Sequence, residues 1–345
     1  MEKTALVTGA TGFIGSHLVD ALTGDGVEVT SLVLPGDPAS NLRGGRTKIV
    51  HGDIRDRSSL AAAMRGIETV YHLAAISHHD ARLPDTEYEA VNVQGTRNVL
   101  EAADEAGVKC VLFTATIEAV GLSKDGAPLT EESPQTPRNI YGESKLAAEN
   151  LVRAYRSPRG MKTVVVRPPM TYGPRELILV DRLFKMVQRG IYPLIGSGKA
   201  LTEFCYVKNQ VLGIRLAAEK GRPGEVYFIS DHRSYTIEEI VGAIGKEVRA
   251  RVFTPHIPVP VAFAMGCVFE VLSKVLRFYP FLIPQTGRPP FSRKTVAWTS
   301  ESKLYCDISK ARRELGYTPT YDLTTGIRET VAWYCQHGFL RPPAG

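Results

Sequence analysis

Thr8-Gly9-Ala10-Thr11-Gly12-Phe13-Ile14-Gly15 is the stretch that decides the fold. It follows a short apolar run, Thr4-Ala5-Leu6-Val7, that reads as a buried strand. It opens a helical pattern running from Ile14 to about Leu22. Three glycines spaced by three between a strand and a helix have separate tasks. Gly9 lets the chain turn sharply, Gly12 lets a phosphate approach the backbone, and Gly15 lets helix and strand pack closely. The N-terminal N–H groups and partial positive charge of the helix then face a pyrophosphate. The stretch reads as a dinucleotide site lined by Gly9, Thr11, Gly12, Phe13, Ile14 and Gly15.

Outward from this turn, strands are expected at Val27–Leu34, at Lys48–Val50 ending in Gly52-Asp53, and at Thr69–His72, Cys110–Thr114 and Thr163–Arg167. Helical patterns lie between them, among them Ser58–Met64, Tyr88–Ala106 and Ser144–Tyr155. Strand alternating with helix means parallel βαβ units and a doubly wound α/β sheet of the Rossmann kind. After Pro168-Pro169 the rhythm breaks into shorter, Pro-rich segments, with small strand candidates near Phe204–Val207 and Val226–Ile229. The expected division is a dinucleotide-binding domain over 1–168 and a smaller, mainly substrate-binding region over 169–345. Some strands and helices of the second should return to the first.

The 345 residues are 43% apolar and 23% charged, a balance that suits a globular protein. A formal charge of +6 is mild for this length. It suits an ordinary basic soluble protein with no nucleic-acid partner, attraction to an anionic cofactor or membrane surface being the alternative. Cys110, Cys205, Cys267, Cys306 and Cys335 are scattered, odd in number and without a C-x-x-C pair. That pattern argues for a reducing compartment with neither a disulfide framework nor a metal site. The N-terminus runs straight into a strand, so no secretory signal and a cytoplasmic location are expected.

A second constellation supplies chemistry: Tyr141-Gly142-Glu143-Ser144-Lys145, with Thr116 upstream. On a helix, residues four apart face the same side, so Tyr141 and Lys145 would act together. A tyrosine pKa near 10 must fall by about 4 kcal/mol of phenolate preference to work near neutrality. A lysine ammonium and the positive ring of an oxidised nicotinamide could supply this in a water-poor site. Tyr141 then reads as the general acid/base. Lys145 would also hydrogen-bond the cofactor ribose. Thr116 follows the fifth strand, at the sheet end where ligands bind, and its hydroxyl could orient the substrate oxygen.

Either NAD or NADP fits these residues. The end of the second strand carries Val33 and Leu34, neither a ribose-binding carboxylate nor an Arg for a 2′-phosphate. Asp37 and Arg43 are each within reach from the following loop. The absence of a basic residue beside Val33 favours NAD. Asp53 is placed to accept from the adenine amino group, or else serves as a turn or capping carboxylate. His78 and His79 follow the fourth strand near the nicotinamide end, either as substrate contacts or in a solvated loop.

Residues 260–284 are almost continuously apolar, interrupted by Glu270, Lys274 and Arg277. Those charges share one helix face, and the opposite face is Phe, Leu, Val and Met. Three charges and Pro280 argue against a membrane-spanning helix. The segment is expected either to cover the substrate pocket or to lie in a membrane interface.

Across nearly its whole length the chain resembles the extended short-chain dehydrogenase/reductase family. The matching stretches are 8–15, Gly-Asp-Ile (52–54), His-Leu-Ala-Ala (72–75), Asn-Val-Gln-Gly-Thr (92–96), Tyr-Gly-Glu-Ser-Lys (141–145), Arg-Pro-Pro-Met-Thr-Tyr-Gly-Pro (167–174) and Tyr-Val-Lys-Asn (206–209). The resemblance implies a catalytic set of Thr116, Tyr141 and Lys145. It also implies cofactor contacts at Asp53, Ile54, Leu73, Ala74, Ala75, Asn92, Tyr141, Lys145 and Pro168, and substrate contacts at His78, Glu118, Met170 and Thr171. A homodimer through the Tyr141 helix is a further implication.

Among the branches of that family, dehydratases resemble Thr-Asp-Glu where this chain has Thr116-Ile117-Glu118. Sugar-nucleotide enzymes usually carry Asn where it has Met170. Thr-Ile-Glu-Ala-Val-Gly (116–121), Arg167-Pro168-Pro169, Pro290-Phe291-Ser292-Arg293 and the run from Tyr305 to Ala311 are similar to 3β-hydroxysteroid dehydrogenases. The implied activity is NAD(P)-dependent interconversion of a secondary alcohol and a ketone on a sterol-like or other large apolar substrate. A sugar-nucleotide 4-epimerase and a redox-sensing nicotinamide-binding protein are the alternatives.

Overall fold

Strands that are apolar on both faces need cover on both sides, and the chain supplies it with helices between consecutive parallel strands. The computed structural model describes residues 2–42, 46–77, 83–123, 126–178, 180–276, 296 and 305–343. In chain order the first half comprises β1 (Thr4–Thr8), α1 (Phe13–Gly24), β2 (Glu28–Val33), β3 (Lys48–His51), α2 (Arg57–Ala63), β4 (Thr69–His72), α3 (Asp85–Tyr88), a π-helical turn (Glu89–Gln94) and α4 (Gly95–Glu105). Then come β5 (Cys110–Thr114), a 3₁₀ turn (Ile117–Ala119), α5 (Ile140–Ala154), β6 (Lys162–Arg167), β7 (Thr171–Tyr172), α6 (Val180–Gln188), β8 (Leu194–Ile195), β9 (Leu201–Thr202) and β10 (Cys205–Tyr206). The remainder is α7 (Val207–Lys220), β11 (Val226–Phe228), β12 (Tyr235–Thr236), α8 (Ile237–Glu247), β13 (His256–Ile257), α9 (Val259–Leu276), α10 (Ser309–Leu315) and α11 (Leu323–Gln336).

Seven strands form one parallel sheet in the order β11-β6-β5-β4-β1-β2-β3. Its strands alternate sides residue by residue. Ala5, Val7, Leu112, Val164 and Val166 join a core with Leu18 and Leu22 of α1 and Ile214 of α7. Leu6, Val111, Phe113 and Val165 join a second core with Leu60 of α2, Val99 of α4 and Val152 of α5. The result is the expected Rossmann-like α/β fold. The strand order reverses beside β1, so a crevice opens at the carboxyl ends of β1 and β4, where open α/β sheets bind ligands. Thr8 pairs with His72 there, and Gly9 and Leu73 leave the sheet side by side.

Beyond residue 168, β11 returns to the edge of the main sheet, while β7 pairs with β10, β9 with β12 and β8 with β13. Several boundaries differ from the sequence expectation, four of them in ways that bear on the site or the apolar segment. Asn139 caps α5, whose helix begins at Ile140 rather than Ser144. The helix expected from Tyr88 starts with α3 and a π-helical turn. Val207 opens α7 instead of ending a strand. In the apolar segment, the described helix is Val259–Leu276, and residues 277–284 lie outside the described residues. Among the described residues no helix is long and apolar enough to cross a membrane.

One buried ion pair ties α5 to β6. Arg167 donates from Nε to Glu149 Oε2 at 2.9 Å and from Nη2 to Oε1 at 2.6 Å, with both side chains fully buried. Its Nη1 donates to the Glu131 carbonyl at 3.4 Å. A two-pronged pair of this kind satisfies both charges and fixes the helix on the strand. Removing one partner leaves an uncompensated buried charge. Glu149→Leu is therefore expected to cost about 3–5 kcal/mol in urea denaturation, most of it regained in the double variant Glu149→Leu/Arg167→Met. A single variant as stable as the wild type would contradict this account of α5.

Candidate active site

The glycine turn is built by close approach. Gly9 has φ of +69°, and a Cβ there would stand 2.7 Å from the Ala74 nitrogen. A Cβ on Gly15 would stand 2.1 Å from the Gly9 carbonyl oxygen. Neither position admits a side chain. Gly12 differs. Its φ of −69° suits any residue, it is exposed, and a Cβ would meet only the Gly9 carbonyl, at 3.1 Å. The bare backbone at Gly12 is thus left open toward the crevice. No side chain caps α1, and its first turn has no acidic residue, whereas Asp56, Asn139, Thr236 and Asp322 cap α2, α5, α8 and α11. An uncapped helix end behind a bare turn fits a dinucleotide pyrophosphate.

A polar network locks the other wall of the crevice. Thr96 donates to the Asn92 carbonyl at 2.6 Å, which leaves its oxygen to accept from His72 Nε2 at 3.0 Å. His72 Nδ1 then accepts from Thr8 Oγ1 at 2.7 Å, and Thr8 Oγ1 accepts from the Ala74 N–H at 3.2 Å. Every donor in that chain has an acceptor, so His72 is neutral. Burial, with Lys145 nearby, lowers it to about 3. Leu73 and Ala74 are half-buried and Ala75 exposed along this wall. Asn92 lies in the π-helical turn. Its Oδ1 accepts from the Ile76 N–H at 2.8 Å, and its Nδ2 donates to Ser144 Oγ at 2.9 Å. It thereby joins the exit of β4 to α5.

Tyr141 and Lys145 stand one turn apart on α5, and Thr116 reaches them from the end of β5. The Thr116 hydroxyl is hydrogen-bonded to Tyr141. Burial and the Glu118 carboxylate push the Tyr141 phenol up, and the bond to Thr116 holds it down. Lys145 is 2% exposed, with Nζ 4.2 Å from the Phe113 ring centroid. Burial lowers it to about 7, against the upward pull of Glu149. Without the cofactor, burial thus raises the Tyr141 phenol and lowers the Lys145 ammonium; the sequence reading assigns the lowering of the phenol to Lys145 together with the positive ring of a bound nicotinamide.

Two residues that sequence reasoning passed over hold this set in place. Asn139 accepts from the Gly142 N–H at 2.8 Å and donates to Glu118 Oε2 at 2.7 Å. Ser144 donates to the Tyr141 carbonyl at 2.9 Å. An Asn immediately before a helical run is a capping signal, so Asn139 was legible in principle. Ile117 is buried and its N–H bonds the Pro168 carbonyl at 2.9 Å. Met170 is half-buried against the core, and Thr171 Oγ1 donates to the Pro169 carbonyl at 3.1 Å.

Other sequence candidates fare differently. Ile54 packs where a Cβ on Gly95 would be 2.7 Å from its Cδ1, a support for α4. Asp53 Oδ2 accepts from Arg55 Nε at 2.9 Å and Nη2 at 2.7 Å, and Oδ1 from the Arg55 N–H at 2.9 Å. The Arg55 guanidinium thereby holds its carboxyl below the usual range. Val33 is 1% exposed and faces the core instead of a ribose. His78, His79 and Arg43 lie outside the described residues.

Lys145 gives a pH signature. Its pKa falls from 10.5 to about 7 on folding. Between those values the unfolded chain binds a proton that the native one does not, so its contribution to stability rises with pH and is lost as pH falls to 7. Between about pH 7 and about pH 9, urea denaturation should show the wild type gaining about 2 kcal/mol on Lys145→Met. A pH-independent difference would mean that Lys145 keeps its charge when buried.

Comparison with known proteins places this geometry in a family. Residues 5–230 match the model of the NAD dependent epimerase/dehydratase family. The N-acetyl-alpha-D-glucosaminyl-diphospho-ditrans,octacis-undecaprenol 4-epimerase of Escherichia coli O157:H7 is 30% identical over 345 residues, 98% of this chain and 97% of that protein. The 3-beta-hydroxysteroid dehydrogenase of Mycolicibacterium neoaurum is 30% identical over 352 residues, 95% of this chain and 90% of that one. A double mutant of DesIV, the dTDP-glucose 4,6-dehydratase of Streptomyces venezuelae, has a crystal structure with NAD bound. It matches at a TM-score of 0.73 and 29% identity over 99% of both chains. With the Gly9–Gly15 cradle on the same fold, NAD(P) is the cofactor, and the chain belongs to the NAD-dependent epimerase/dehydratase family of extended short-chain dehydrogenases/reductases.

Proposed function

We propose that the protein is an NAD(P)-dependent oxidoreductase that interconverts a secondary alcohol and a ketone on a large apolar, sterol-like substrate. The observation that carries this reading is the Thr116–Tyr141 hydrogen bond, one helical turn from the buried Lys145. When bound, the nicotinamide supplies or accepts the hydride. In reduction Tyr141 Oη gives its proton to the substrate oxygen; in oxidation it takes that proton back. Thr116 Oγ1 holds the substrate oxygen and the phenol in line. Lys145, poised near 7, favours the phenolate whenever it carries its proton.

Apolar groups replace polar ones where other chemistries need them. Ile117 is buried and holds no proton to give a leaving hydroxyl. By the family resemblance Met170 takes the place of the Asn that sugar-nucleotide enzymes usually carry, and a thioether has no donor for a diphosphate. The names of two relatives, acting on a hydroxysteroid and on a sugar-diphospho-undecaprenol, each include a large apolar part, the second beside a diphosphate. A second reading, a 4-epimerase that keeps its NAD and returns the hydride, draws on the Escherichia coli relative, which matches over 98% of this chain. Net reduction of added cofactor by a hydrophobic alcohol separates the two.

Helix α9 bears on how such a substrate arrives. Val261, Val268 and Val271, with Ala264, form a stripe at helical spacing, and the three valines are 50%, 56% and 60% exposed. The sequence left open which side faces outward; among the described side chains the exposed stripe is apolar, with Glu270 half-buried off it. An apolar stripe in water favours contact with lipid, from which a sterol-like molecule could pass directly. The relevant test is serine at 261, 268 and 271 together. Co-sedimentation with anionic vesicles should fall and KM for a vesicle-borne sterol should rise, while kcat/KM for a short soluble alcohol holds. Unchanged sedimentation and kinetics would reduce the stripe to an ordinary surface.

The catalytic assignment is tested by Tyr141→Phe. Removing one acid/base group should lower turnover roughly 10²–10⁴-fold. NAD binding followed by fluorescence should be nearly unaffected, since the ring packs as before. Near-normal turnover would place the proton transfer elsewhere.

A further inference from the structure

The end of β2 lacks the carboxylate that ordinarily reads the adenosine ribose, because Val33 there is buried in the core. The following loop brings one back. After a turn closed by the Asp37 N–H on the Leu34 carbonyl at 3.1 Å, Asp37 lies against the glycine turn. Its Oδ2 accepts from Thr11 Oγ1 at 2.8 Å, and its Oδ1 from the Ala39 N–H at 2.8 Å. Asn41 Nδ2 donates to the Thr11 carbonyl at 2.9 Å, a second tie between loop and turn. Ala39 is held at φ of +50°, a left-handed conformation that non-glycine residues rarely adopt. The Asp37–Ala39 hydrogen bond helps keep that strained shape.

From Val29 to Leu42 Asp37 is the only charged residue, and it is half-buried. A carboxylate has about four acceptor sites, and two of these are used, so Asp37 can still accept from a ribose. We propose that Asp37, latched by Thr11, is the carboxylate that accepts the adenosine 2′-hydroxyl, and that it makes the chain select NAD over NADP. The 2′-phosphate of NADP would bring a like charge to hydrogen-bond range of a carboxylate held in place by two donors. Arg55, the basic side chain beside Asp53, is already committed to that carboxylate and to Glu87 at 3.4 Å. Thr11 is then a positioning residue, acting on the ribose through Asp37. The inference rests on NAD(P) binding alone and is independent of the proposed substrate.

The test is a titration of the substrate-free protein with NAD and with NADP, followed by fluorescence or calorimetry, so no turnover is needed. The wild type should bind NAD more tightly. Asp37→Asn keeps the shape and removes the charge. It should weaken NAD and relieve the repulsion of NADP, cutting the affinity ratio by at least about tenfold, since a hydrogen bond to a charged group is worth roughly 1.5–3 kcal/mol. Thr11→Val should lower the same ratio and Thr11→Ser restore it, a pattern that a merely structural role for Thr11 would not produce. Thermal unfolding of each variant shows whether the fold is kept, and Asp37→Ser serves as a second variant if Asp37→Asn is unstable. A ratio unchanged in folded Asp37→Asn and Asp37→Ser overturns the assignment. So does a wild-type preference for NADP that is abolished by Arg43→Ala.

Discussion

The contact between Gly15 and the Gly9 carbonyl sets the rest of the structure. Where a Cβ would lie 2.1 Å from that oxygen, the start of α1 rests directly on the end of β1. Gly9 in turn lies against the backbone of Ala74, so the same turn fixes the exit of β4. Both ends of the crevice at the strand-order reversal are thereby positioned by backbone contact, with no side chain to adjust. The helix end is left without a cap, which would be a fault in a closed core. At a ligand crevice it is the free donor set that a pyrophosphate needs.

Tyr141 and Lys145 sit on a single helix, and polar ties hold α5 at three heights. Asn139 caps its first turn and reaches Glu118. Asn92 joins Ser144 to the loop after β4. Glu149 grips Arg167 of β6 in the interior. These ties give Tyr141 and Lys145 a fixed place relative to Thr116. The same burial that fixes Lys145 disfavours its charge and lowers it to about 7. A cofactor that carries positive charge would therefore act on a phenol that the protein alone keeps neutral.

The sheet was legible because six of its seven strands are four to six residues long, and most are apolar and separated by helical patterns. The glycine turn and the Tyr141–Lys145 spacing were legible because their chemistry is local. The two-residue pairs such as β9 with β12 were not, since two residues carry no period. Nor was the π-helical turn at Glu89–Gln94, which depends on backbone hydrogen bonding that side-chain pattern does not encode. Val33 and Asp37 show the limit most clearly. Their sequence positions lie near the ribose end, but the burial of Val33 and the Thr11–Asp37 hydrogen bond across 26 residues are tertiary facts that no local pattern encodes. Periodicity in α9 likewise revealed an apolar stripe without saying that it faces outward.

In the proposed reading, Ile117 supplies no acid for a dehydration and Met170 no donor for a diphosphate, so the open question is whether the hydride leaves with the cofactor or returns to the substrate. The direct measurement is absorbance at the reduced-nicotinamide band when the purified protein is mixed with NAD and a panel of hydroxysterols, with UDP-sugars in parallel. The account predicts sustained growth of reduced cofactor with a sterol-like alcohol and none with the sugars. Epimerisation of a UDP-sugar without net cofactor reduction, and no response to any hydrophobic alcohol, would contradict it.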